Sequence, residues 1–248
     1  MAESGVVVCN WQDKDPRIGH ESAVIWPVLL RRSEENKESY ACLEQISGLH
    51  RYAMQGRKKS DYHAHDTVEQ YYYILSGEGE VLIDGETYPV REGSVAYFAP
   101  GAKHQLINEQ SDEWLEQLII SCPVERQGST SQVVNWRDSS PTAGVHGAAI
   151  TWNLLESVDV QEPSTEKPCL LGMYYIARQA LVRGKAADNH KHDDKEQIYY
   201  ILEGWGTVIT ADEVHQVAEG DSVYLPQGVS HQIINEDCDG WLSYLVIS

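Results

Sequence analysis

Six histidines recur in two matched sets. His63 and His65 form one His-x-His and His190 and His192 another; each is followed by an acid–amide pair (Glu69-Gln70, Glu196-Gln197), a glycine (Gly77, Gly204) and a lone histidine (His104, His231). On an extended strand the side-chain period is two, so both imidazoles of His-x-His share one face. A third histidine from a distant strand would complete a facial nitrogen set suited to Zn, Fe, Mn, Ni or Cu. Buried imidazoles need partners, which makes six ordinary barrel histidines in matched positions a poor explanation.

The sets belong to a duplication. His63–Ser121 lies on His190–Ser248 at a constant offset of 127, with 29 identities over 59 positions. Upstream, Cys42-Leu43 matches Cys169-Leu170, Arg51 matches Arg178, His20 and Trp26 match His146 and Trp152, and Asn10-Trp11 matches Asn135-Trp136. Two units are expected, residues 1–124 and 125–248, joined by a polar stretch near Pro123–Ser131.

Each unit reads as all-β. The runs YYYIL and QIYYIL are aromatic and β-branched, and glycines punctuate at short intervals. Val81–Val90 is expected to be a hairpin, with Asp84-Gly85 supplying the positive φ values of a type I′ turn. Ser33–Leu43 is open between a helix N-capped by Ser33 and a loop insertion.

The chain of 248 residues carries 19 Lys+Arg against 38 Asp+Glu, a formal charge of −19. That acidity argues against nucleic acid as a partner, because like charge repels the phosphate backbone. No run approaches the ~18 apolar residues of a membrane span, so no membrane partner is expected. Met1–Gly5 has no basic n-region, so no secretory leader is expected. Five cysteines without a CxxC spacing fit a reducing cytoplasm better than a disulfide framework.

These motifs resemble the cupin superfamily, specifically a two-domain bicupin. The second copy matches the family's second motif through Gly220, Pro226, Gly228, His231 and Asn235. The first has Gly93, Gly101, His104 and Asn108, with its proline displaced to Pro100. In the first motif, six intervening residues before Gly77 and Gly204 lead back to Gln70 and Gln197, where the family usually has Glu. The resemblance implies two tandem double-stranded β-helix (jelly-roll) barrels, each with a divalent metal in its mouth, two per chain. Strand parity then turns Gln70, Tyr72 and Ile74 inward, with Gln197, Tyr199 and Ile201. The expected ligands are His63, His65, Gln70 and His104, and His190, His192, Gln197 and His231, with Glu69 and Glu196 outside, paired to a cation.

Tyr72 and Tyr199 are candidate hydrogen-bond donors or acid/base groups. Arg51 and Arg178, twelve residues before each His-x-His, are candidate clamps for a substrate carboxylate. His20 and His146 are candidate rim residues, Arg57-Lys58-Lys59 a solvated loop that could attract an anion, and Trp114 and Trp241 candidate core residues. The expected partner is a small-molecule substrate, an anionic one included, for a monomer or homo-oligomer. Three imidazoles and an amide leave a divalent ion near its full charge, and the resemblance favours a dioxygenase-type oxidoreductase. The alternatives are a non-redox isomerase, lyase or cyclase, and a binding protein without turnover.

Overall fold

The structure is a computed structural model and describes residues 5–144, 146–211, 213–237 and 239–248. It is all-β, with single-turn 3₁₀ helices at Trp11–Asp13 and Trp136–Asp138. Each of those turns is capped by the asparagine before it, Asn10 or Asn135, whose side chain accepts the amide two residues on. No helix among the described residues is long and apolar enough to cross a membrane.

Each half is a two-sheet barrel. In the first, the large sheet runs Gln132–Asn135, Ser94–Phe98, Val68–Ser76, Leu115–Pro123, Gly48–Met54, Ala23–Arg31 and Arg17–Gly19. The facing sheet contains Lys58–Lys59, His104–Asn108, Glu78–Ile83 and Glu86–Arg91. The second half repeats this plan, with Asp221–Leu225, Gln197–Glu203, Leu242–Ile247, Tyr175–Leu181 and Ile150–Glu156 as neighbours.

The halves exchange edge strands. Val7–Asn10 pairs antiparallel with Asp221–Leu225 of the second barrel, and Gln132–Asn135 pairs with Ser94–Phe98 of the first. The repeated Asn-Trp segments are thus the ends of two strands that each half lends to the other. The exchange covers the sheet edges with paired backbone, where an open edge would invite aggregation.

Three apolar clusters follow from strand parity. One fills the first barrel (Tyr52, Met54, Tyr72, Ile74, Phe98, Leu106) and one the second (Tyr199, Ile201, Val223, Ile233, Tyr244). The third lies between the barrels and takes the opposite faces of the same strands, including Leu49, Tyr71, Tyr73, Leu118, Ile176, Ile198, Tyr200 and Leu245. Both faces of the central strands are therefore buried, which is why YYYIL is nearly continuously apolar.

Asp84 and Gly85 have φ of 48° and 92° and link Ile83 to its partner Glu86, so the expected two-residue hairpin turn is present. Residues 33–40 form a loop in which Ser33 Oγ accepts the Asn36 amide. Trp114 and Trp241, expected in the core, are exposed instead. Each sits just before its closing strand, and its carbonyl lies against the glycine (Gly77, Gly204) that follows the neighbouring strand of the sheet.

Candidate functional site

The two His-x-His segments are tied to the lone histidines by reciprocal backbone hydrogen bonds. His63 N donates to His104 O (3.2 Å) and His104 N to His63 O (2.7 Å); the pairs at His190 and His231 are 3.1 and 2.8 Å. The middle of the motif is fixed from the other side. Gly101 N donates to His65 O (2.8 Å) and Gly228 N to His192 O (2.6 Å). Gly101 and Gly228 have φ of 84° and 79°, values that favour glycine, so the turn forms equally with Pro100 or Pro226 before it.

The result is two nearly superposable sets of rings. Centroid separations for His63–His65, His63–His104 and His65–His104 are 4.9, 4.5 and 5.6 Å, and the second set gives 5.0, 4.5 and 5.8 Å. Within each set the ligating atoms lie within 4.8 Å of one another, and the same holds for His20, Asp61 and His63.

Proton placement shows what these atoms can hold. Nδ1 of His63, His104, His190 and His231 each faces a backbone carbonyl, of Asp61, Ala102, Asp188 and Val229, at 2.9–3.2 Å. A carbonyl only accepts, so the proton sits on Nδ1 and Nε2 is left as a lone pair. Gln70 Nε2 donates to Ser121 Oγ (2.9 Å) and Gln197 Nε2 to Tyr175 Oη (2.6 Å), which sets each amide oxygen inward. Gln70 Oε1 then lies 3.2 Å from His104 Nε2, and Gln197 Oε1 3.1 Å from His231 Nε2. Two acceptors this close repel unless a cation stands beside both. Ligands at right angles around an ion with bonds of about 2.1 Å are about 3 Å apart. The donor set therefore fits a divalent transition metal in each barrel. Burial also favours the neutral, ligating imidazole. It lowers the pKa of His104, His192 and His231 to about 4, and that of His65 in the same direction.

Tyr72 and Tyr199 lie inside their barrels, with rings 6.0 and 5.9 Å from His104 and His231. Burial raises both phenols well above their ordinary range, so each keeps its proton at neutral pH and can donate but not act as a base.

Arg51 and Arg178 require a correction. They share the parity of Leu49 and Ile176, on the strand faces between the barrels, and neither guanidinium reaches the histidines. Arg51 donates to Tyr200 Oη (3.0 Å) and to Glu116, and stacks on Trp11 at 4.1 Å. Arg178 donates to Tyr73 Oη (3.2 Å), pairs with Glu92 and stacks on Trp136 at 4.3 Å. Each arginine serves the contact between halves rather than a substrate.

Glu69 and Glu196 are outside their own barrels, as parity requires, but their partners are not cations. Glu69 is fully buried and accepts the amides of Leu171, Gly172 and Met173 (2.7–2.9 Å) and Tyr97 Oη (3.0 Å). Glu196 accepts the amides of Glu44, Gln45 and Ile46 at 2.8–2.9 Å. Each carboxylate thus caps a backbone turn of the other half. Burial raises the Glu69 carboxyl, and its hydrogen bonds pull the other way.

The mouths of the barrels differ. His20 Nδ1 is 2.7 Å from Asp61 Oδ1, whose other oxygen is 3.0 Å from His63 Nδ1, and the His20 ring stacks on His63. The second barrel has His146 5.5 Å from His190. Arg57 and Lys59 are exposed and paired with Asp112 and Glu109. Deeper, one pair of residue types is swapped. Gln179 and Tyr244 are register partners in the second barrel and hydrogen-bond at 2.8 Å. At the equivalent positions the first barrel has Tyr52 and Gln117, and both amide atoms of the fully buried Gln117 lack a partner among the described residues. A groove of about 1240 Å³ elsewhere on the surface is lined by none of the six histidines; donor chemistry, not volume, identifies the site.

Comparison with known proteins agrees with this geometry. The cupin domain model matches residues 50–117 and 177–247. An uncharacterised protein of Methanocaldococcus jannaschii is 46% identical over 46 residues, 18% of this chain and 37% of that protein, so only about a third of its length is spanned. A crystal structure of a putative glyoxylate-induced protein from Pseudomonas aeruginosa superposes with a TM-score of 0.79 at 16% identity, covering 100% of this chain and 89% of that one. A Bacillus subtilis oxalate decarboxylase mutant gives 0.71 at 14% identity over 97% and 76% of the two chains. An Escherichia coli pirin in complex with nickel(II) gives 0.72 at 15% identity over 98% of each. With a cupin unit matched in each half and the duplicated barrels to go with it, the chain belongs to the cupin family and is a bicupin.

Proposed function

We propose that each barrel binds one divalent transition metal through three Nε2 atoms and one amide oxygen: His63, His65, His104 and Gln70, and His190, His192, His231 and Gln197. The reading rests on the facing lone pairs of Gln Oε1 and His Nε2 in both barrels. The protein is then a metal-dependent enzyme acting on a small organic molecule. Nickel and manganese centres among structurally similar proteins make such metals reasonable occupants.

A bound ion would supply Lewis-acid or one-electron chemistry, and four neutral donors leave its positive charge uncompensated. The chain's own residues do the rest. The Nδ1 hydrogen bonds hold the imidazoles in one tautomer. Ser121 and Tyr175 orient the amides. Tyr72 and Tyr199 offer protons from the barrel interior, and the apolar lining excludes water. A neutral set that retains charge suits an anionic chelating substrate, and we favour a dioxygenase-type oxidoreductase. The same charge retention supports the second reading, non-redox isomerase or lyase chemistry. The four described cysteines are unpaired, consistent with a cytoplasmic setting.

Metal content after reconstitution tests the centre, with about two ions per chain expected. The two reactions are then separated by oxygen consumption of the iron-loaded protein against turnover under argon with Zn²⁺ or Ni²⁺, using one panel of phenols, diketones and hydroxy acids. Turnover that needs oxygen supports the first; equal turnover without it supports the second. A protein that retains no first-row ion overturns both.

A further inference from the structure

The second barrel carries a cation at its mouth that the first lacks. Lys195 lies between His192 and Gln197, two residues before the strand that carries Tyr199. Its ammonium sits 4.4 Å from the ring centre of Tyr174 and 5.2 Å from that of Tyr175. The Tyr175 hydroxyl in turn accepts from Gln197. Lysine, tyrosine and amide thus form one continuous wall beside the histidines.

The lysine is half-buried, yet no described carboxylate forms an ion pair with it; Asp194 acts on it only at longer range. Exposed Lys59 and Lys191, by contrast, are paired with Glu109 and Asp193. Half-burial costs the ammonium part of its hydration, a loss that an anion would offset.

The first barrel has none of these groups. At the positions equivalent to Tyr174, Tyr175 and Lys195 stand Ser47, Gly48 and Val68. Both mouths carry a histidine and an aspartate at matched positions, His20 with Asp61 and His146 with Asp188, so the lysine and the two tyrosines are what sets the second barrel apart.

We propose that Lys195 makes the second barrel an anion site: a small carboxylate bound at its centre is held by the ammonium, and the first barrel has no counterpart. The inference rests on the metal-centre reading given above. It makes two otherwise matched centres differ in how tightly they hold an anion.

The test uses full-length protein with His63, His65 and His104 all changed to Ala, so that cobalt(II) loads only the second barrel. The probes are malonate and its neutral diamide, malonamide, read by the visible absorption of bound cobalt. Lys195→Met is expected to weaken malonate binding by about tenfold, the scale of one charge-assisted hydrogen bond. Lys195→Arg is expected to stay within a few-fold of the parent. Malonamide affinity should be the same in all three proteins, which also shows that the variants are folded. Unchanged malonate affinity in Lys195→Met with cobalt bound overturns the anion site alone, as does a cobalt-loaded parent that does not respond to malonate. Failure of the second barrel to take up cobalt overturns the metal-centre reading and the anion site with it.

Discussion

The amide oxygen of Gln197 stands 3.1 Å from Nε2 of His231, and neither atom has a proton to share. The proton of His231 is on Nδ1, facing the Val229 carbonyl, and the amide nitrogen of Gln197 faces Tyr175 Oη and, at 3.4 Å, His192 Nε2. Gln70 and His104 stand the same way at 3.2 Å, although a serine replaces the tyrosine as the amide's partner. Two different second partners that hold the same oxygen inward indicate that the inward oxygen is the constrained feature.

Adjacent residues on one strand should therefore separate metal binding from stability. Gln70→Ala is expected to weaken metal binding in the first barrel while leaving the metal-free protein about as stable. Glu69→Gln is expected to do the reverse. It sets an NH₂ group against backbone donors and weakens hydrogen bonds to a charged acceptor, a loss of about 2–3 kcal/mol. Metal content and denaturant melts of both variants check this; loss of metal in Glu69→Gln with stability intact would reassign the ligand.

The arginines should behave as structural groups. Arg51→Met removes the links to Tyr200, Glu116 and Trp11 and is expected to lower stability by about 1–3 kcal/mol. Metal content and the KM of whatever substrate is turned over should not change. A raised KM at unchanged stability would return Arg51 to the substrate.

Removing an unsatisfied amide should stabilise the fold. Gln117→Met keeps the length and deletes both partnerless polar atoms. The expected gain is about 1 kcal/mol, or a Tm rise of about 2–4 °C for a chain of this size. A lower Tm would mean that Gln117 has a partner, such as a buried water.

Acid should destabilise the metal-free protein over a defined window. Burial lowers the pKa of His50, His104, His192 and His231 from 6.5 to about 4. The unfolded chain takes up these protons near pH 6.5 and the native protein only near pH 4. Stability is therefore fully present above about 6.5 and falls as the pH drops to about 4, after which the histidine contribution levels off. Urea midpoints from pH 8 to 4 check the slope; a flat profile contradicts it.

The sequence makes the site more legible than the frame around it. His-x-His, the acid–amide pair and the lone histidine are local signals, and strand parity places Gln70 with the histidines and Glu69 opposite. Parity does not say what the opposite face meets. Glu69 meets backbone amides more than a hundred residues away, and Arg51 meets Tyr200, so both look like surface groups until the second barrel is in place. The strand exchange is hidden for the same reason. Asn10-Trp11 and Asn135-Trp136 repeat visibly, but the two halves are similar enough that either barrel could accept either strand. Trp114 and Trp241 mislead because an aromatic beside an apolar strand resembles core, whereas both precede the strand and face solvent.

The central claim is that each barrel closes three imidazoles and one amide oxygen on a metal ion. An anomalous difference map from crystals of the manganese-reconstituted protein tests it most directly. The account predicts two peaks per chain, one about 2.0–2.3 Å from His63, His65, His104 and Gln70 and one equally close to His190, His192, His231 and Gln197. No peak in either barrel, or peaks whose nearest protein oxygen is not the glutamine amide, would contradict it.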